Sequence, residues 1–280
     1  MTKIGFLHPG AMGISLAASA QNSGNESCWI SSGRSKETKE RAEEHHLTDL
    51  KTLTHLTQTC EVIVSICPPD AAESVAQAVA ALSFSGLYLD ANAISPQRAI
   101  CIQNIVEEAG ARFVDGSVIG GPAWKANNTW LQLSGKYAPE IAELFSEGPL
   151  ETNIIGDEVG KASALKMTYA AYSKGTTALL AAILATAENF DVRNELEAQW
   201  AKYDPEFVEQ AHNRTQRVTA KAWRFAGEMD EIAATFAEAG LPSGFHEAAG
   251  EIYRRITDFK DAKETPELED VLGKLLKQQK

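Results

Sequence analysis

The sequence predicts an α/β fold in two parts, a doubly wound parallel sheet followed by an all-α C-terminal domain. Three observations carry this expectation. Through the first half, short β-rich runs alternate with longer helical patterns, as parallel strands joined by crossover helices do. The first strand passes into the first helix through a compact glycine-containing turn, HPGAMG at residues 8–13. After about residue 155 the strand signals cease and the chain reads as helix to its end. The expected domains are therefore 1–155 and 156–280.

Bulk properties allow this division. The 280 residues are 44% hydrophobic and 23% charged, and they suffice for one large domain or two ordinary ones. A net charge of −12 repels phosphate backbones and anionic surfaces, which argues against nucleic acid or a membrane as general partner. Any anionic ligand must be held by local donors. Cys28, Cys60, Cys67 and Cys101 are scattered singly, without the spacing of a zinc site or a disulfide framework. No metal is expected, and a reducing cytoplasm fits best. Lys3 before an apolar run, with Ala17-Ala18-Ser19-Ala20 behind it, imitates a signal peptide. His8-Pro9-Gly10 breaks that run, however, and strand, turn and helix is the more natural reading. No apolar run approaches the ~20 residues that span a bilayer.

Taken in order, residues 3–7 read as a first strand, 11–22 as a helix, 26–31 as a second strand and 35–45 as a charged helix. Val62-Ile63-Val64-Ser65-Ile66 is a buried strand that stops at Cys67-Pro68-Pro69, where the prolines forbid continuation. Residues 87–90 and 112–115 are two further strands, each leading into a loop. The run 160–189 is rich in Ala, Leu, Lys and Met and free of proline, which predicts one long helix buried between layers or subunits. Residues 265–280 read as a surface helix with a basic tail.

The opening turn has two of the three glycines of a dinucleotide-binding loop. Gly10 lets the backbone approach a pyrophosphate, Gly13 permits close helix packing, and His8 stands in the place of the first glycine. The amides that open the helix, at Ala11, Met12 and Gly13, together with the helix dipole, supply most of the anion binding, so the loss of one glycine is tolerable. About twenty residues further on, where an NAD site places an acid against the ribose, the chain has Ser31-Ser32-Gly33-Arg34-Ser35. Arg34 flanked by Ser32 and Ser35 suits a 2′-phosphate, because a guanidinium makes paired hydrogen bonds to phosphate and stacks on adenine. The expected cofactor is NADP(H). Ser35 also suits the N-cap of the next helix.

GFLHPGAMG at residues 5–13, Asp115-Gly116-Ser117-Val118-Ile119-Gly120-Gly121-Pro122-Ala123, and Gly160-Lys161-Ala162-Ser163-Ala164-Leu165-Lys166 together resemble the β-hydroxyacid dehydrogenase family. That family includes 3-hydroxyisobutyrate and 6-phosphogluconate dehydrogenases and is related to the imine reductases. The likeness covers nearly the whole chain, and Arg224-Phe225-Ala226-Gly227-Glu228-Met229 with Gly244-Phe245-His246-Glu247 resembles a less characterised branch of it. The resemblance implies a Rossmann domain and a homodimer. It implies hydride transfer between NADPH and a carbonyl or alcohol carbon of a small molecule, with Lys166 as general acid/base. It also places Cys67 and Pro68 beside the nicotinamide ribose and Asn92 where its amide can bond the cofactor. Ser117, Gly120 and Gly121 belong to a substrate loop. On a helical wheel Lys166, Ala170, Ser173 and Thr177 share a face, which adds Ser173 to the substrate set.

Departures from the family pattern matter equally. An asparagine often found four residues after the lysine is Ala170 here, a serine before the Gly-Gly pair is Ile119, and a second lysine aligns with Glu228. Each loss argues against an ordinary small β-hydroxyacid. Trp124, Tyr169, Lys174, Trp223 and His246 come from segments expected near the substrate, and Pro242 with Gly244 sets His246 in a loop. Two rival readings remain, reduction of a C=N bond and a protein that binds NADPH without chemistry.

Overall fold

The computed structural model describes residues 1–260 and 262–277 of the chain. Contacts divide it into two compact units, Met1–Lys166 and Met167–Lys280. The last strand ends at Gly156, and the division falls inside the helix that follows.

The first unit is built on β1 (Lys3–Phe6), β2 (Glu26–Trp29), β3 (Thr48–Asp49), β4 (Val62–Ser65), β5 (Leu87–Asp90), β6 (Arg112–Gly120), β7 (Thr129–Ser134) and β8 (Leu150–Gly156). Between them run α1 (Ala11–Asn22), α2 (Lys36–Glu44), α3 (Leu53–Thr59), α4 (Ala72–Ala80), α5 (Pro96–Glu108) and α6 (Ala138–Glu143). The strands form one sheet in the order β3-β2-β1-β4-β5-β6-β7-β8. Every neighbouring pair is parallel except β6 and β7. β1 pairs with both β2 and β4, so the winding of the chain reverses there. Such a reversal opens a crevice beyond the carboxyl ends of the strands, where doubly wound sheets hold their ligands.

Both faces of the sheet are covered, which is why its strands read as continuous apolar runs. Ile4, Phe6, Val62, Val64, Leu87, Leu89 and Val114 pack on one side, and Leu7, Ile63, Tyr88 and Phe113 on the other. Alternation along each strand sends successive side chains to opposite faces.

Two expectations for the first unit are corrected. The segment from Asp115 is no loop, because β6 continues to Gly120 and pairs antiparallel with β7 over Asp115–Gly120. Its glycines suggest a loop, yet Gly116 packs closely within the strand, where a Cβ would lie 2.6 Å from Leu89 Cδ1 and 3.0 Å from Asp90 O. The strands β3, β7 and β8 were also not foreseen. Thr129-Trp130-Leu131-Gln132-Leu133-Ser134 mixes polar and apolar residues at the edge of a glycine-rich stretch, and its pairing partner lies in β6.

The second unit is helical. It comprises the end of α7 (Lys161–Ala170), a π-helical turn (Ala171–Gly175), α8 (Thr176–Asn189), α9 (Arg193–Tyr203), α10 (Phe207–Arg217), α11 (Ala222–Glu238), α12 (Gly244–Arg255) and α13 (Leu268–Leu276). Buried Met229, Ile232 and Ala233 of α11 face buried Ala249, Gly250 and Tyr253 of α12. The basic tail at 278–280 lies outside the described residues. Among the described residues no helix is long and apolar enough to cross a membrane.

The helix expected over 160–189 is interrupted by the π turn. A π turn leaves main-chain carbonyls without regular helical partners. Tyr253 Oη donates to Lys174 O at 2.7 Å, and Arg214 Nη2 reaches Ser173 O at 3.4 Å and Thr176 Oγ1 at 2.6 Å. The wider turn also changes the phase of everything after it, so the wheel that grouped Lys166, Ala170, Ser173 and Thr177 does not hold beyond Ala170. His246 is corrected as well, because α12 starts at Gly244 and carries it in its first turn.

Gly13 is the tightest glycine of the opening turn. A Cβ there would sit 2.2 Å from His8 O and 3.0 Å from Ile66 Cγ2, whereas at Gly10 it would meet nothing within 4 Å. Gly13→Ala should therefore cost about 1–3 kcal/mol by urea unfolding. Gly10→Ala should stay within about 0.5 kcal/mol of the parent. Equal losses in both variants would show that the close packing of α1 on the turn is not what demands glycine.

Candidate functional site

The site assembles at the carboxyl ends of β1, β4, β5 and β6, all within the first unit. After β1 the chain turns sharply, with Gly10 N donating to His8 O at 2.8 Å, and enters α1. Gly10 is the N-cap and offers no side-chain cap, and the first regular helical bond is from Ile14 N to Gly10 O at 2.9 Å. Helix-opening amides without a side-chain acceptor form an anion site, and Ala11 stands exposed there with Met12 half-buried. Ser15, one turn on, donates to Met12 O at 2.8 Å and accepts from Ala123 N at 2.9 Å, which ties the segment after β6 to the start of α1.

Arg34 follows β2 and lies half-buried, and its Nε has no hydrogen-bond partner among the described residues. It stands close enough to His8 to act on it. Burial, reinforced by the Arg34 charge, holds the His8 imidazole down at about 4. The guanidinium thus lies beside the opening turn with donor capacity to spare. Ser32 is exposed, and Ser35 caps α2 by accepting from Thr38 N at 3.3 Å, as the sequence suggested. An acid does approach this strand end, though from the neighbouring strand. Asp49 of β3 accepts from Ser31 N, Lys51 N and Lys51 Nζ, so its carboxylate is occupied by its own surroundings. These features fit a nicotinamide dinucleotide.

Beyond β4 and β5 the geometry differs from the expectation for Asn92. Its side chain is fully committed inside the protein: Oδ1 accepts from Cys67 N at 2.6 Å, and Nδ2 donates to Asp90 Oδ2 at 3.0 Å and Ser65 Oγ at 3.2 Å. Asn92 therefore shapes the Cys67-Pro68 segment. Burial, with a contribution from Asp90, pushes the Cys67 thiol up to about 12, so it remains protonated and unreactive.

The grip of β6 on α7 was not foreseen. Asp115 Oδ2 accepts from Ser134 Oγ at 2.9 Å, Gly160 N at 2.9 Å and Ser163 N at 3.1 Å, and its Oδ1 accepts from Ser163 Oγ at 2.7 Å. This buried carboxylate caps the N-terminus of α7, where the helix dipole favours a negative charge. Ser117 is also buried and donates to Ala162 O at 2.7 Å, so its hydroxyl fastens the helix. One helical turn beyond Ala162 on α7, Lys166 Nζ donates to Val118 O at 2.7 Å. Gly120 adopts φ 112° and packs directly on Asn128 O, and Gly121 O accepts from Thr129 Oγ1 at 2.7 Å. The signal for Asp115 was in the sequence as an acid at a strand end, but its partners lie 19 to 48 residues away.

The remaining candidates lie in other settings. Trp124 is 48% exposed and stacks on His45 at 5.0 Å. In the second unit, Ser173 Oγ turns back to Tyr169 O at 3.3 Å, and Tyr169 is exposed. Lys174 Nζ pairs with Glu228 at 2.6 Å, with both side chains nearly covered, and lies 4.8 Å from the Phe225 ring centre. Trp223 carries Lys260 over its ring at 4.3 Å. His246 is buried against Phe236 and Phe245, its Nδ1 without a partner among the described residues, and burial lowers its pKa.

Residues 3–139 match the NAD-binding domain of 6-phosphogluconate dehydrogenase, and residues 187–256 match a domain of unknown function, DUF1932. An uncharacterized 28.5 kDa protein in the 7S RNA 5′ region of Methanothermus fervidus is 31% identical over 59% of this chain, and the match spans 62% of that protein's length. Among solved structures, conserved protein MTH1747, of unknown function and structurally similar to 3-hydroxyacid dehydrogenases, is 27% identical with a TM-score of 0.68, covering 91% of this chain and 97% of the other. The 3-hydroxyisobutyrate dehydrogenase of Mycobacterium tuberculosis, with L-serine, is 17% identical with a TM-score of 0.70 and covers 99% and 100%. An imine reductase from Myxococcus stipitatus in complex with NADP+ is 18% identical with a TM-score of 0.58 and covers 98% and 100%. These last two share the fold.

The depressed His8 gives the site a pH signature. Its pKa falls from 6.5 to about 4 on folding, so in acid the unfolded chain gains a proton that the folded one refuses. The contribution of His8 is present above pH 6.5 and is lost as pH falls towards 4. Between pH 7.5 and 5.5 the wild type should lose about 1 kcal/mol relative to His8→Asn in urea titrations. Parallel pH profiles for the two proteins would remove this account of the turn.

Proposed function

Since the chain is a β-hydroxyacid dehydrogenase-family member with a distinct C-terminal domain, we propose that this NAD(P)-dependent oxidoreductase uses NADPH and acts on a carbonyl or alcohol carbon of a small molecule, with Lys166 as general acid/base. The observation that carries the reading is the bond from Lys166 Nζ to Val118 O, made from a helix whose first turn is held by Asp115. An ammonium anchored on a main-chain carbonyl has a fixed direction, and general acid catalysis needs its proton within hydrogen-bond reach of the reacting oxygen. When bound, the nicotinamide supplies or accepts the hydride. In reduction Lys166 gives its proton to the oxygen as alkoxide develops there, and in oxidation it takes the proton back.

On the cofactor side, the uncapped amides of Ala11, Met12 and Gly13 would receive the pyrophosphate and Arg34 the 2′-phosphate. Cys67 and Pro68, held by Asn92, would line the nicotinamide ribose. The substrate is not an ordinary small β-hydroxyacid. The family resemblance places a serine at Ile119, an asparagine at Ala170 and a lysine at Glu228, and each of these departures removes a group that would hold a hydroxyl or carboxylate. A neutral, more apolar carbonyl compound suits these residues better than a hydroxycarboxylate. We assign the exposed apolar strip of Leu179, Phe190 and Val192 beside α8 to a homodimer interface, since an uncovered patch of this kind marks an interaction surface.

Titration with NADPH and NADH, followed by a panel of ketones, aldehydes and cyclic imines, tests the enzyme reading. Lys166→Met should retain NADPH affinity and lose at least ~100-fold in turnover. Arg34→Ala should lose most of its preference for NADPH over NADH. Undiminished turnover in Lys166→Met ends the acid/base assignment, turnover confined to cyclic imines moves the acceptor from C=O to C=N, and NADPH binding without any turnover favours a sensor. For the dimer, sedimentation velocity should give two protomers for the wild type and one for Phe190→Asp, and a monomeric wild type refutes the interface.

A further inference from the structure

One line of side chains crosses the carboxyl edge of the sheet and is polar throughout. Ser65 on β4, Asp90 on β5, Asp115 on β6 and Ser134 on β7 are successive register partners, and none is more than 1% exposed. In a sheet whose neighbouring positions are Val, Leu and Phe, four consecutive buried polar residues on one rung require a reason, because each must be supplied with hydrogen bonds.

The two ends of the rung serve the two halves of the site. At one end Ser65 and Asp90 receive both protons of the Asn92 amide, whose oxygen holds Cys67 N. Asn92 N also donates to Asp90 Oδ1 at 3.0 Å. At the other end Ser134 and Asp115 hold Gly160, Ala162 and Ser163 at the start of α7, and so set Lys166. In the middle the carboxylates of Asp90 and Asp115 are register neighbours. Asp115 has donors from three residues, while Asp90 accepts from the main-chain N–H and the side-chain amide of Asn92.

We propose that Asp90 is a positioning residue that acts through Asn92 on the Cys67-Pro68 segment and, through its neighbour Asp115, links that segment to the placement of Lys166. The inference rests on the cofactor and Lys166 roles assigned above and adds the connection between them. Charge makes the link responsive. Burial pushes the Asp90 carboxyl up to about 7, the Asn92 bonds pull it down and the Asp115 charge pushes it up. The other titratable groups that feel it are Tyr88 on its own strand and Cys67 beyond β4. Ionised Asp90 bonds the Asn92 N–H groups more strongly than protonated Asp90 does, so the Cys67 segment is held more firmly as pH rises through 7. Folding itself has the opposite slope. A carboxyl raised from 3.8 to about 7 stabilises the fold fully below 3.8, and that contribution is lost as pH rises through 7.

Asp90→Asn and wild type are compared by two independent measurements. In the absence of cofactor, hydrogen exchange at the amides of Cys67, Gly160 and Ser163 reads both ends of the rung. NADPH fluorescence titrations at pH 6 and pH 8 read the consequence for binding, and the 2′-phosphate titrates alike in both proteins, so their difference reports Asp90. In Asp90→Asn an amide N–H faces the Asn92 donors. Exchange should quicken about tenfold at both ends, and NADPH affinity should fall about tenfold at pH 8 and little at pH 6. Faster exchange at Cys67 alone overturns the link to α7, and unchanged exchange at both ends overturns the role of Asp90. If the wild type binds neither NADPH nor NADH, the cofactor assignment falls while the exchange data still decide the relay. Should Asp90→Asn fail to fold, Ser65→Ala removes only the hydroxyl that accepts from Asn92. It should quicken the same amides about threefold, and no change there counts against the relay.

Discussion

The acceptor capacity of one buried carboxylate, Asp115, organises the first unit. Removing a carboxylate from water is costly, and the cost is offset only where several donors converge on it. Here two main-chain amides at the start of α7 and the hydroxyls of Ser134 and Ser163 do so. Hydrogen bonds to a charged group are each worth about 1.5–3 kcal/mol, enough to hold a helix end in one place. With α7 so fixed, Ser117 reaches Ala162 O and Lys166 reaches Val118 O, and a flexible lysine becomes a directed one. The glycines of β6 belong to the same arrangement. Gly116 lets β6 lie over Leu89, and without that approach Asp115 would not stand in register with Asp90.

The opening turn solves an electrostatic problem. A chain of net charge −12 that binds an anionic dinucleotide must gather positive potential locally. At this turn the opening amides of α1 have no side-chain cap, and Arg34 lies beside His8, which burial, reinforced by the Arg34 charge, keeps neutral. A neutral imidazole in the place of the first glycine adds bulk to the turn without adding a titrating charge near neutral pH. Gly13 bears the steric consequence, because the helix then passes within contact of His8 O.

The helical unit makes different use of polar groups. The π turn at Ala171–Gly175 is stitched by Tyr253 and Arg214, and it carries Lys174 into its pair with Glu228. A nearly covered ion pair is poor evidence of stability, since desolvation cancels much of the attraction. Its clearer consequence is chemical, because Glu228 and Lys174 neutralise each other. Burial likewise lowers the His246 pKa, and its Nδ1 beside Phe236 has no hydrogen-bond partner among the described residues.

Much of this was legible in the sequence because it depends on local rules. Strand and helix alternation, the glycines of the turn, the prolines after Ser65 and the Ser35 cap all follow from residues that act on their immediate neighbours. Lys166 and Arg34 stood out through chemistry and resemblance. What escaped depends on residues distant in the chain. The strand status of Asp115–Gly120 needed β7, the phase of the long helix needed Tyr253 and Arg214, and the true duty of Asn92 needed Cys67, 25 residues before it. The sequence by itself determined the strands β1, β2, β4, β5 and the start of β6, their alternation with helices and the chemical types at their ends, because those follow from periodicity and local sterics. Only the tertiary structure decided which polar groups spend their hydrogen bonds inside the protein and which keep them for a ligand, because that choice is made between segments that meet only on folding.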